Sequence, residues 1–290
     1  MRRFRMFSSA NVIIFVILIA LQALPVAAQM RPRNGPGFGR PGQPYDPRTE
    51  EFIRKALQDK REQELVTRAQ LVAAGPHVEI YQDGLVVDPH FLALNEDAYG
   101  KLEELIGRKF DTAVLGPKVR VFVSTQVGIS HVWRGYEHPK DPKGIVFLNP
   151  RVYARAMAGT DCTFIHEMAH LLTWKSYSHT LREGIANYLA QRIRPGAVSG
   201  ANPAGYDWST KVPKAMASYL GTTKEAPRMM TAEPESRSVY YYACYRFVKY
   251  LVDTAGMEVF MKLYESRTPE DEFRGLYGAS RKELIAAAGM

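Results

Sequence analysis

The sequence predicts an α+β fold, with a small N-terminal α/β lobe that includes an edge strand, followed by a mainly helical C-terminal lobe. Between residues 77 and 150, short alternating stretches such as "PKVRVFVS" flank a single stretch of helical period. After Arg151 the apolar residues recur at helical spacing, with one Gly/Pro-rich break from Pro195 to Gly205. No internal repeat cuts across this division.

The N-terminal residues "MRRFRMFSSANVIIFVILIALQALPVAAQM" combine a basic head, an apolar run from Val12 to Leu24 and small residues at Ala27 and Ala28. Residues 1–28 are therefore expected to be a secretory signal cleaved near Ala28, which makes the chain secreted or periplasmic. The run falls short of the roughly 20 residues a spanning helix needs, so an uncleaved membrane-tethering anchor is the alternative. No cysteine follows the cleavage region, which argues against a lipid anchor. Residues 29–48 are rich in Gly, Pro and Arg without a repeating apolar face, and are expected to form a disordered linker. Its arginines offer peripheral contact with an anionic envelope. Arg2, Arg3 and Arg5 together with this linker account for most of the net charge of +8, so no nucleic-acid partner is expected.

From Thr49 to Ala74 the spacing of Glu50/Arg54, Glu51/Lys55 and Glu64/Arg68 predicts a charged helix, stopped by Gly75 and Pro76; residues 49–76 are assigned to a peripheral segment. "HVEIYQDGLVVD" predicts two short strands around a turn, "NEDAYGKLEELIG" a helix with acids in its first turn, and "PKVRVFVS" a strand. A long loop follows, in which His131, Trp133, Tyr136 and His138 are candidates for lining a cleft. "GIVFLNP" then predicts a strand just ahead of the next helical stretch.

"TDCTFIHEMAHLLTW" places His166 and His170 four residues apart, on one face of a helix and one turn from each other. That spacing suits a shared metal ion and leaves the Glu167 carboxylate free to meet a water on it; the competing reading is two hydrogen-bonded core histidines. Ile165, Met168, Leu171 and Leu172 lie to the sides of the stripe and suit core packing. A third ligand has to come from downstream, where Glu183 and Asp207 are the only acids before Glu225. Glu183 opens the helical segment "HTLREGIANYLAQRI", but Thr180 to Glu183 also reads as a capping box that would use the same carboxylate on the backbone. Thr173 and Ser176 occupy the places where a glycine and a third histidine would stand, and His179 is a poor substitute ligand.

"TFIHEMAHLL" followed by "LREGIANYLAQR" resembles the gluzincin zinc metallopeptidases, especially the peptidase-MA-like group, whose H-E-x-x-H helix is followed by E-G-x-A-x-Y. The latter falls on Glu183, Gly184, Ala186 and Tyr188. Downstream, "YYACYRFVKYLVDTAG" and "LYGASRKELIAAA" resemble later segments of that family, so the resemblance spans residues 77–290. It implies a zincin-like metallopeptidase fold in which "GIVFLNP" is an edge strand bordering the cleft, Zn2+ held by His166, His170 and Glu183, Glu167 as general base, and a peptide or protein substrate. Some gluzincins carry an aspartate four residues after the ligand glutamate; here that place is Asn187, whose side-chain oxygen can accept from an imidazole N–H.

On the tyrosine helix, Tyr240, Cys244, Phe247 and Leu251 form an inward stripe with Tyr241 beside it, whereas Tyr242 groups with polar residues and is expected to face solvent. Tyr241 also matches the family helix, which makes it the candidate oxyanion donor; aromatic core packing is the competing role. Cys162 and Cys244 are the only cysteines, and export to an oxidising compartment predicts a disulfide between them, with two buried thiols as the alternative. The function expected is a zinc-dependent metallopeptidase. The alternatives are a non-catalytic envelope binding or scaffold protein with a vestigial metal site, and a zinc hydrolase of non-peptide amides. An intact Glu167 favours catalysis.

Overall fold

The computed structural model describes residues 60–133, 143–199, 220 and 234–290. The expected signal segment and linker, Tyr136, His138 and Asp207 lie outside the described residues. Among those described, no helix is long and apolar enough to cross a membrane.

A five-stranded mixed sheet precedes a mostly helical remainder. Helix α1 (60–68) leads into β1 (Gln70–Ala74) and β2 (Val78–Asp83), followed by α2 (Phe91–Ile106) and the short α3 (Thr112–Leu115). Then come β3 (Val119–Ser124), β4 (His131–Val132) and β5 (Ile145–Leu148). The sheet order is β1-β2-β3-β5-β4: β2, β3 and β5 run parallel, and antiparallel strands lie at both edges. Alternation along the strands divides two cores. Val78, Ile80, Val121, Val123, Val146 and Leu148 join the main core with the helices. Phe122, Ile145 and Phe147 face the other way, where Leu65 of α1 covers them.

Several expectations are corrected here. Residues 70–74, read as the end of the charged helix, form β1, and Arg68 pairs with Asp83 at 2.9 and 3.0 Å. The supposed second strand after Gly84 does not form: Val87 donates its N–H to the Gln82 side chain, and β2 finds its partners in β1 and β3. Helix α2 starts at Phe91, which moves the acids out of its first turn; Glu96 accepts instead from the amides of His77 and Val78. The strand Ile145–Leu148 is interior, because its four apolar residues are buried on both faces, and the edge passes to β4.

The second half begins with α4 (Pro150–Met157), whose N-cap Asn149 accepts from the Val152 amide. It continues with α5 (Thr163–Leu172), α6 (His179–Ile193), α7 (Pro234–Glu265, broken at Gly256 with φ 82°), α8 (Pro269–Tyr277) and α9 (Arg281–Ala287). Helix α5 is buried along its whole length rather than on one face. Helix α6 lies between α5 and α7, and Gly184 permits the close approach: a Cβ there would stand 2.5 Å from the Cys244 carbonyl oxygen and 2.3 Å from Val248 Cγ2.

Candidate metal centre

The start of α5 is fixed before any ligand appears. Asp161, fully buried, accepts from the Thr163 amide at 2.7 Å and from the Arg155 guanidinium at 2.6 and 2.9 Å. The Cys162 amide donates to the Val198 carbonyl at 2.7 Å. At the far end, the Tyr264 hydroxyl donates to the Thr173 carbonyl at 2.6 Å. A helix held at both ends presents its side chains in a defined place.

On that helix, His166 and His170 bring their Nε2 atoms to 3.0 Å from each other, rings edge-on. Glu183 reaches across from α6, its Oε2 lying 3.4 Å from each of these nitrogens. The three residues are buried and, among the described residues, form a group that can hold a metal ion. Tetrahedral zinc with arms of about 2.0–2.1 Å has edges near 3.3 Å between ligand atoms, so this triangle fits three vertices and leaves a fourth for water or substrate. Borderline imidazole and carboxylate donors in this number are those of catalytic zinc sites.

Asn187 determines which nitrogen of the neutral His166 ring could meet an ion. Its Nδ2 donates to the Glu183 carbonyl at 2.9 Å, and a carbonyl can only accept. Its Oδ1 therefore faces His166 Nδ1 at 3.0 Å and must receive a proton from it. That leaves Nε2 as the ring's lone-pair nitrogen, turned toward the other two ligands. The Ser199 hydroxyl donates to the same Oδ1 at 2.8 Å. The capping-box alternative fails, because α6 is capped by Ser178 and the Thr180 hydroxyl lies 3.1 Å from that of Tyr240. His179 faces the other Glu183 oxygen, Nε2 to Oε1 3.6 Å, as does Arg182 Nε at the same distance. Tyr240 in turn touches His179 Nδ1 at 3.2 Å.

The electrostatics divide the two acids. Burial pushes the Glu167 carboxyl up to about 7, and the nearby Glu183 charge adds to this, while His166, His131 and a hydrogen bond from the Val132 amide oppose it. For Glu183, burial is outweighed by His170, His166 and His179, which hold the carboxyl well below the usual carboxylate range. Burial lowers His170 to about 4.

Tyr241 is half-buried, its ring tilted against Tyr240 at 6.0 Å, and Tyr242 is half-buried beside Tyr245 rather than facing solvent. The expected disulfide is absent: Cys162 and Cys244 are separate buried thiols. Cys162 sits near Gln191 of α6, at 3.6 Å, whereas the Cys244 backbone lies against Gly184. Those α6 positions are seven residues apart, about 10 Å along the helix, far beyond the roughly 2 Å of an S–S bond. Ser199, Arg182 and Tyr240 were not expected as neighbours of the ligands. Of these, only Tyr240 left a sequence signal, its place on the inward stripe of α7.

No protein-family model and no curated protein matches the chain. Among solved structures, native yeast LTA4 hydrolase resembles it at 15% identity with a TM-score of 0.44, over 75% of this chain. The match spans 38% of that protein's length.

Proposed function

We propose that the chain is an exported zinc-dependent hydrolase that cleaves peptide bonds. The observation that carries this reading is the buried His166, His170 and Glu183 triangle, of zinc dimensions, beside a carboxylate outside the ligand set. When bound, zinc supplies Lewis-acid polarisation of a carbonyl and makes a water acidic near neutral pH. Glu167 accepts the proton that water gives up, and burial suits it to the task by lifting its basicity toward neutrality. Burial keeps His170 neutral, and Asn187 selects the His166 tautomer whose Nε2 can ligate. Burial opposes charge on His166 too, but the surrounding Glu183, Glu167 and Asn187 raise it above its ordinary value, so metal binding there releases a proton when the ring is charged. Tyr241 is the candidate donor to the oxyanion, and Tyr241→Phe is its test. Export rests on residues 1–28, and the basic linker is the candidate for envelope contact.

The experiment is metal analysis of the purified protein with a peptide-library digest, with and without chelator. Glu167→Ala is expected to retain zinc and lose hydrolysis, whereas Glu183→Ala loses zinc affinity as well. Wild-type zinc affinity in Glu183→Ala would remove Glu183 from the ligand set. Zinc without peptide cleavage would leave the non-peptide amide or binding-protein readings.

A further inference from the structure

Helix α1 carries an acid where a core residue belongs. Its inward stripe runs Glu62, Leu65 and Val66, with Ala69 just past its end, and packs on Phe122, Ile145 and Phe147. Glu62 is 6% exposed, and a carboxylate that deep is tolerated only when paired and hydrogen-bonded. Among the described residues it meets His131 of β4, whose Nε2 lies 2.7 Å from Glu62 Oε1. The other ring nitrogen, Nδ1, lies 2.7 Å from the Ile129 carbonyl oxygen. Carboxylate and carbonyl are both acceptors, so both ring nitrogens carry protons and the imidazole is a cation. Burial works against that charge, but Glu62 and the Ile129 carbonyl raise the His131 pKa above its ordinary value.

The strand that His131 belongs to is two residues long and has little ladder to hold it. Trp133 turns its N–H inward to the Ile145 carbonyl at 2.9 Å, so the antiparallel alternation sends the Val132 N–H off the sheet edge. Glu167 receives it. Whatever fixes β4 therefore fixes the backbone against which the helix of the base packs. On the far side of the sheet, α1 is bolted down twice more, by Leu65 in the core and by Arg68 on Asp83.

We propose that Glu62 is a positioning residue of the active site: through its ion pair with His131 it pins β4, so that this strand holds Glu167 in register with the ligands. The segment that reads as peripheral in the sequence is then part of the catalytic machinery's support. Only the effect on turnover rests on the hydrolase reading.

The test uses the full chain with Glu62→Gln, which keeps the side chain's shape without its charge, and Glu62→Ala. Nitrogen NMR of the His131 ring near neutral pH is expected to show two protonated nitrogens in the wild type and one in Glu62→Gln. Amide exchange at Val132 and Trp133 is expected to speed up about tenfold or more, as local opening becomes easier. Zinc content stays unchanged, while kcat falls about tenfold with KM nearly unchanged, the mark of misplaced catalytic groups rather than lost binding. A His131 ring that keeps both protons in Glu62→Gln, or exchange at 132–133 that stays at the wild-type rate, overturns the proposal. So does a variant that loses only overall melting temperature, which would assign the pair to holding α1 alone. If Glu62→Ala does not fold, Glu62→Gln decides. If the wild type cleaves nothing, the hydrolase reading falls, and the NMR and exchange measurements still decide the role of Glu62 at β4.

Discussion

Hydrogen-bond direction around Asn187 places a proton on His166 Nδ1 and so leaves Nε2 bare for an ion. Asn187→Ala removes that acceptor, lets the ring rotate and lets either tautomer form. Zinc affinity is expected to fall about 10–100-fold, as for other outer-shell partners of ligating histidines, measured by competition with a chromophoric chelator. Asn187→Asp still accepts from Nδ1 and is expected to stay near wild type; an unchanged affinity in Asn187→Ala would show that the ring needs no such partner. The candidate ligands and Asn187 could be singled out in the sequence because helical period puts His166 with His170, and Glu183 with Asn187, on shared faces, while their roles came from the resemblance. Ser199 was not legible, because it arrives from a non-helical segment after α6. No period specifies where such a segment lies, and its place is set by bonds of Val198 to Thr160 and Cys162.

Between elements, the contact that places Glu183 is the packing of α6 on α7. Gly184 stands next to the ligand and has no room for a Cβ, since the nearest obstacle besides the Val248 side chain is the Cys244 backbone carbonyl, which cannot rotate away. Gly184→Ala is expected to push the helices apart, costing about 1–3 kcal/mol by denaturant unfolding, with weaker zinc binding because Glu183 moves with its helix. Stability and zinc affinity both within error of wild type would mean that the helices separate without disturbing the ligand. The glycine was visible in the sequence, but the reason for it was not, because close approach is a property of two elements. The strands divide in the same way. β3 was legible from six residues of alternation, whereas β4 has only two, too few for any period to register. The all-apolar run of β5 suits an interior strand better than an edge, and the sheet order bears that out.

At the scale of the molecule, the sheet has two faces and both need cover. The helices that carry the ligands cover one, which the sequence made clear through its long helical stretches. The other is covered by α1, whose charged residues suggested a peripheral role, since the apolar stripe that contradicts them is only Leu65 and Val66, with Ala69 just past the helix end and Glu62 among them. Leu65 is 3% exposed and packs with Phe122, Val127, Ile145 and Phe147. If α1 is part of the fold, Leu65→Ala leaves a cavity beneath the sheet and costs about 2–5 kcal/mol, as buried leucine truncations do. If α1 is a detachable appendage, the same change costs less than about 0.5 kcal/mol, as surface substitutions do. Urea unfolding of the full chain separates these outcomes. Because β5 and β4 are neighbours in the sheet, the larger loss is also expected to speed amide exchange at Trp133, whose N–H is bonded to Ile145. A large loss of stability with no change at Trp133 would confine the effect of α1 to the inner strands, away from the edge that meets Glu167.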